Sequence, residues 1–292
     1  MFFLQILTNS LVTGTQVLLL AAGLYVIHAV AKMYHIGLAG IMVVGAYAYY
    51  VFVQLMPTLP AFLFAIAITA LISIISFTIL KSLISKKQDL LALLVSVAMW
   101  LVIESILAII FGSDGKFLIA GVLPTYNLLG ITITQIGFWT LLVGAVTAVA
   151  TYVVLQLLPI GRTLRSIAQH PECASMIGIK ETSVQMLVFA AAGTVAGLIG
   201  IFTAMNDAAT PTMSTEMLIT AFSAVLVGGN HNFKGTILAS YILVLIPEFI
   251  VASNFGTVSF SNSWKLVFTF LIALVLLLLR PQGLLSTSTR KA

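Results

Sequence analysis

From Leu11 to Leu279 the chain alternates between long apolar stretches and short polar breaks. A helix needs about 20 mostly apolar residues to cross the hydrocarbon core of a bilayer. The pattern predicts about nine such helices. Helix 1 runs Leu11–Ala31, helix 2 Gly37–Met56, helix 3 Pro60–Leu80 and helix 4 Asp89–Phe111. A polar loop follows from Gly112 to Gly130, then helix 5 at Gln135–Leu158 and a long polar segment, 161–182. Helix 6 is Val184–Met205, helix 7 the short Glu216–Val227, helix 8 Thr236–Ala252 and helix 9 Trp264–Leu279. Met1–Ser10 reads as an interfacial segment ahead of the first span. The expected fold class is all-α: a polytopic membrane protein whose residues 1–292 form a single transmembrane domain.

Composition agrees with the pattern. The chain is 61% hydrophobic and 7% charged, with a mean hydropathy of +1.17. A soluble domain carries about 25% charged residues, so most of this surface must meet lipid. No basic residue precedes Lys32 and no small-residue cleavage site follows the first apolar run, so the N-terminal stretch is expected to be mature protein. Cys173 is the single cysteine, and no Cys/His cluster has metal-ligand spacing. Neither a metal nor a cofactor is expected.

The net charge of +5 sorts by side. With segment 161–182 in the cytoplasm and nine spans, eleven basic residues fall inside, Lys32, Lys81, Arg162 and Arg280 among them. Only Lys116 and Lys265 fall outside. This bias places the N-terminus outside and the C-terminus in the cytoplasm. The charge is a topology signal, so no nucleic-acid partner is expected.

Segment 161–182 is unlike the rest of the chain. One short helix is predicted from Arg162 to Gln169, and a second starts at Pro171 and stops at Gly178. Glu172 falls in the first turn of the second helix, where its charge favours the positive end of the dipole. Two short helices on the inner face form a knob on which a soluble motor can push; a solvated loop is the plainer alternative.

The run Glu172-Cys173-Ala174-Ser175-Met176-Ile177-Gly178 resembles the Glu-Ala-Ala-x-x-x-Gly signature of permeases in ATP-binding-cassette (ABC) importers, with Cys173 replacing the first alanine. Gly161-Arg162-x-Leu164-Arg165-x-Ile167-Ala168 resembles the lead-in of the branched-chain amino-acid permease family. Gly45-Ala46-Tyr47, Phe111-Gly112-Ser113-Asp114, Val227-Gly228-Gly229 and Arg280-Pro281-Gln282-Gly283-Leu284 resemble further blocks of that family, in order. One block departs: His35 stands at an asparagine position and Leu38 at a histidine position. The resemblance implies ATPase coupling through Arg162, Arg165, Ala168, Glu172, Ala174 and Gly178. It also implies a second permease, homologous or identical, two cytoplasmic ATPase subunits and an extracytoplasmic solute-binding protein. The solutes would be branched-chain or other small amino acids, or amides, and the location a prokaryotic cytoplasmic membrane.

Polar residues within or beside the spans are the candidates for a substrate path. Glu104 and Glu248 are carboxylates in apolar helices, and such a group needs a cavity or a partner. Asn206, Asp207 and Glu216 cluster at the outer end of helices 6 and 7, and Pro211 and Gly228-Gly229 bound the short helix 7. Gln16 lies in the middle of helix 1. An ion-coupled transporter acting alone is the alternative, with Glu104 and Glu248 as its only ion-site candidates. Catalysis is not expected: no His-Glu-x-x-His or Gly-x-Ser-x-Gly pattern is present. The chain also lacks a Gly-x-x-x-x-Gly-Lys-Ser/Thr phosphate loop, so ATP hydrolysis by that route is not expected here and is expected in separate subunits.

Overall fold

A computed structural model describes residues 2–118, 124–128, 131–156, 161, 180–229, 232–253 and 260–285. Apolar helices dominate: α1 Phe2–Ala31, α2 Leu38–Phe52, α3 Thr58–Ser85, α4 Asp89–Phe111, α5 Gln135–Gln156, α6 Glu181–Asn206, α7 Ser214–Gly228, α8 Phe233–Ala252 and α9 Trp264–Leu279. Six of them are long and apolar enough to cross a membrane, while α2, α7 and α9 are shorter. At 1.5 Å per residue the 15 residues of α2 and of α7 extend about 22 Å, less than the hydrocarbon core.

Each expected helix has its counterpart, with shifts at the ends. The opening segment, expected in the interface, is continuous with α1, since neither proline nor glycine interrupts the chain before Gly14. Helix α2 stops at Phe52, four residues early, because Val53–Met56 close as a turn before Pro57. The polar loop holds an unforeseen hairpin: β1 Thr125–Leu128 pairs antiparallel with β2 Ile131–Thr134, Asn127 opposite Thr132. Alternating β-branched residues in Ile131-Thr132-Ile133-Thr134 carried that signal.

The chain divides into two compact units. A middle unit comprises Gly23–Gly121 and Thr147–Thr215; a terminal unit comprises Met1–Ala22, Val122–Val146 and Glu216–Ala292.

In the middle unit, glycines let the backbones of α2 and α6 approach closely, and Gly193 and Gly197 of α6 face Ser73 and Thr69 of α3. A Cβ on Gly45 would stand 2.7 Å from the Cα of Gly197, and one on Gly200 would overlap the carbonyl of Met42. Lipid offers no hydrophobic drive for helix association, so close backbone approach through small residues supplies it as dispersion. Hydroxyls at the seam are satisfied: Ser73 donates to the carbonyl of Phe189 and Thr69 to that of Ile66. Phe189 stacks obliquely on Phe77, 5.2 Å between centroids, and on His35, 5.1 Å.

In the terminal unit, Pro247 sits inside α8 and has no N–H, so the carbonyl of Leu243 one turn earlier loses its helical donor. Thr269 of α9 donates to that carbonyl at 3.1 Å. The proline is thereby accommodated inside a buried stretch of α8. Glycines also tie the C-terminal segment to the turn between α7 and α8. Gly229 and Gly283 both take left-handed conformations, φ 91° and 96°. A Cβ on Gly283 would lie 2.6 Å from the Cα of Gly229. Leu284 N–H donates to the carbonyl of Val227 at 2.9 Å, and the Asn232 amide to that of Leu285 at 3.0 Å. The Gly-Gly turn and the Arg-Pro-Gln-Gly-Leu run, far apart in sequence, are thus one structural feature.

Candidate functional site

The expected ATPase-coupling residues, Arg162, Arg165, Ala168, Glu172, Ala174 and Gly178, lie outside the described residues. Their flanks are described: α5 reaches Gln156, and α6 begins at Glu181 after an extended Lys180. Glu181 starts α6 with a carboxylate in its first turn and accepts from Gln185 at 2.9 Å.

Glu104 projects from α4 toward the start of α7. Its Oε1 accepts from the Thr215 hydroxyl at 3.4 Å, and Trp100, one turn earlier, donates its indole N–H to the buried Ser214 at 3.2 Å. A carboxylate at the first turn of a helix faces the positive end of the helix dipole. Two neighbouring α4 side chains therefore hold the first two residues of α7. Glu216, next along, opens the terminal unit and stands in the first turn of α7.

Asn206 closes α6, and Asp207 follows it as an exposed residue. Although much of Asp207 meets solvent, the surrounding chain withholds enough water to push its carboxyl above the usual range. The segment after it is clamped from two directions. Lys116 and Ala209 exchange backbone hydrogen bonds of 2.9 Å, and Tyr47 of α2 donates its hydroxyl to the Ala209 carbonyl at 3.2 Å. The loop after α4 and the link after α6 are thus stitched together within the middle unit, a pairing that sequence reasoning missed.

Glu248, in the terminal unit, is paired. Lys265 at the start of α9 reaches its carboxylate at 2.8 Å. An acid with a lysine partner across two helices is an interhelical tie, and its charge needs no bound cation.

Gln16 behaves differently from both acids. It is 6% exposed, and no described group hydrogen-bonds its carboxamide. The adjoining residues are fully engaged. Thr15 bonds the Leu11 carbonyl at 2.7 Å and the Tyr241 hydroxyl at 3.0 Å, while the Tyr241 ring lies against Gly14. Nearer the start of α1, Gln5 brackets Thr132 of the hairpin, donating to its carbonyl at 2.7 Å and accepting from its N–H at 2.9 Å.

His35, the departure from the asparagine-bearing block, is wholly buried in the link between α1 and α2. Its Nδ1 is 3.0 Å from the Ser96 hydroxyl, which also accepts the N–H of Gly37 at 2.8 Å. Its Nε2 has no partner among the described residues. Burial pulls the imidazole down to about 3, so the ring is neutral near neutral pH. Among the described residues no three His, Cys, Asp or Glu side chains gather as a metal site.

Comparison with known proteins places the whole chain. The profile of the family described as "Branched-chain amino acid transport system / permease component" matches residues 6–277. A probable branched-chain amino acid transport permease protein, LivH, of Methanocaldococcus jannaschii is 24% identical over 301 residues, covering 98% of this chain and 94% of the relative. The high-affinity branched-chain amino acid transport permease BraD of Pseudomonas aeruginosa is 22% identical, covering 97% and 95%. The ribose import permease RbsC of Bacillus subtilis is 30% identical over 144 residues, 47% of this chain and 44% of its own length. A multi-pass helical membrane protein matched by that profile from α1 to α9, this chain belongs to the permease-component family of branched-chain amino acid transport systems.

Proposed function

We propose that the chain is one permease subunit of an ABC importer. With a second permease, homologous or identical, it forms the path for branched-chain or other small amino acids, or amides. An extracytoplasmic binding protein delivers the solute, and two cytoplasmic ATPase subunits supply the work. The observation that carries this reading is the family match from residue 6 to 277, supported by relatives named as branched-chain amino acid permeases and matched over 94% and 95% of their length.

The relatives support an inner-membrane location, and the basic-residue bias supports the N-terminus outside and the C-terminus in the cytoplasm. Segment 161–182 then faces the ATPases. Closure of the ATPase dimer on ATP moves this segment, and the bundle alternates between outward and inward access. Arg162, Arg165, Ala168, Glu172, Ala174 and Gly178 carry the contact. Glu104 and Glu248 serve as helix ties, since each is engaged by a side chain of its own unit. That leaves the ion-coupled alternative without an ion site among the described residues.

The docking role is tested with Glu172→Ala and Gly178→Val, each co-expressed with the ATPase subunits. The reading expects folded permease in the membrane that no longer co-purifies with the ATPase. Retained co-purification together with wild-type uptake would remove segment 161–182 from the mechanism.

A further inference from the structure

Seven of the twelve residues from Gln5 to Gln16 are polar, and none of them is charged. From Val17 to Leu24 no residue is polar. Helix α1 therefore changes character at Gln16. Most of the polarity before that point has a local explanation. Gln5 holds the hairpin and Asn9, while Thr8 and Thr15 return their hydroxyls to carbonyls one turn back.

Gln16 has no such explanation. A carboxamide carries two N–H donors and an oxygen with two lone pairs. Leaving them without partners in a residue only 6% exposed is unfavourable, and more so among apolar helices than in a soluble core. Such a group persists where water or a solute completes its hydrogen bonds. The two residues before it show which sides of α1 are closed. Gly144 of α5 presses on Thr15, and Tyr241 of α8 covers Gly14. Gln16 stands about 100° further round the helix than Thr15 and so leaves that packed side.

We propose that Gln16 is the innermost polar group of a wet stretch of the translocation path, and that it hydrogen-bonds the passing solute and helps select it. Its chemistry indicates the solute class. A carboxamide donates to a carboxylate and accepts from an ammonium without bringing a fixed charge, which suits a zwitterionic or otherwise uncharged polar solute and penalises an ion. This inference rests on the permease reading, and it adds the residue and the selectivity rule.

The test uses thiol labelling in membranes, with the single cysteine removed by Cys173→Ser. Gln16→Cys is compared with Val17→Cys, whose side is 2% exposed. A cationic, membrane-impermeant methanethiosulfonate is expected to modify Gln16→Cys and to spare Val17→Cys. Uptake of L-leucine by the complete importer is then measured for Gln16→Leu and Gln16→Asn. The leucine variant should lose about tenfold to a hundredfold, the effect of one hydrogen bond to a charged group, and the asparagine variant should keep most of its activity. Equal inertness of Gln16→Cys and Val17→Cys, or wild-type uptake by Gln16→Leu, would overturn the proposal. Labelling needs neither ATP nor a partner. A labelled Gln16→Cys beside a wild type that shows no ATP-driven uptake would therefore count against the importer reading and leave the wet stretch standing.

Discussion

The α2–α3–α6 core and the first half of α1 both bury polar side chains in a membrane protein, yet they treat them in opposite ways. In the core, Thr69, Ser73 and Ser76 send their hydroxyls to the carbonyls of Ile66, Phe189 and Ile72, and glycines bring the backbones into contact. Thr203 on α6 is the exception, its hydroxyl buried without a described partner. In α1, the Ser10 hydroxyl is buried without a described partner, and the carboxamide of Gln16, a residue 6% exposed, has no described hydrogen bond. Burial alone therefore says little about function here. Satisfied hydroxyls mark helix packing, whereas a carboxamide without a described partner leaves several hydrogen bonds for something else to complete.

The largest effect is expected where packing has no slack. Gly200→Leu puts a branched side chain where the Met42 carbonyl already lies. It should cost about 3 kcal/mol or more, seen as loss of the monodisperse peak in detergent. A variant that expresses and melts as wild type would break the core half of the comparison.

Acid should act on the same unit through His35. The folded ring resists protonation down to about 3, whereas the unfolded imidazole takes its proton at its ordinary 6.5. Between those values the unfolded chain binds more protons, so stability falls as pH drops through that window and is complete above 6.5. Thermal melts from pH 7 to 4 should show this slope, and His35→Gln should flatten it. An unchanged slope would mean that other groups titrate.

In the terminal unit, Thr269→Val removes the donor that serves the carbonyl freed by Pro247. A cost of about 1–2 kcal/mol is expected. Replacing Pro247 by alanine in the same chain should recover most of it, because α8 then supplies its own N–H. Additive rather than compensating melts would disconnect the two residues.

The smallest effect is expected at the Lys265–Glu248 pair, which is 27% and 22% exposed. Glu248→Gln should cost about 0–1 kcal/mol, further reduced by salt. Uptake should be unchanged; a variant that folds but no longer transports would return Glu248 to the substrate path.

Much of the architecture was readable from residue order, because backbone satisfaction in lipid leaves few options besides apolar helices of membrane length. The short α7, bounded by Pro211 and Gly228-Gly229, was legible for the same reason. What escaped was pairing. Nothing in Arg280-Pro281-Gln282-Gly283 announces that Gly283 abuts Gly229, and nothing in Lys116 announces its bridge to Ala209. Those contacts depend on two distant backbones meeting, and a one-dimensional pattern carries no such information. The carboxylates illustrate the same limit. Glu104 and Glu248 were visible as intramembrane acids, but their partners, Thr215 and Lys265, follow only from the fold. Gln16 was already a substrate-path candidate from its place in helix 1; the fold adds that its neighbours Gln5, Thr8 and Thr15 are hydrogen-bonded while it is not.

The central claim is that transport through this bundle is driven by a separate ATPase. Its most direct test is solute uptake into proteoliposomes containing the chain with a second permease, the two ATPase subunits and the binding protein, assayed with L-leucine. Uptake is expected only when ATP is present on the ATPase side, and is expected to be abolished when the ATPase is omitted or its phosphate-loop lysine is changed. Uptake by this chain alone, driven by a sodium or proton gradient and indifferent to ATP, would contradict that claim.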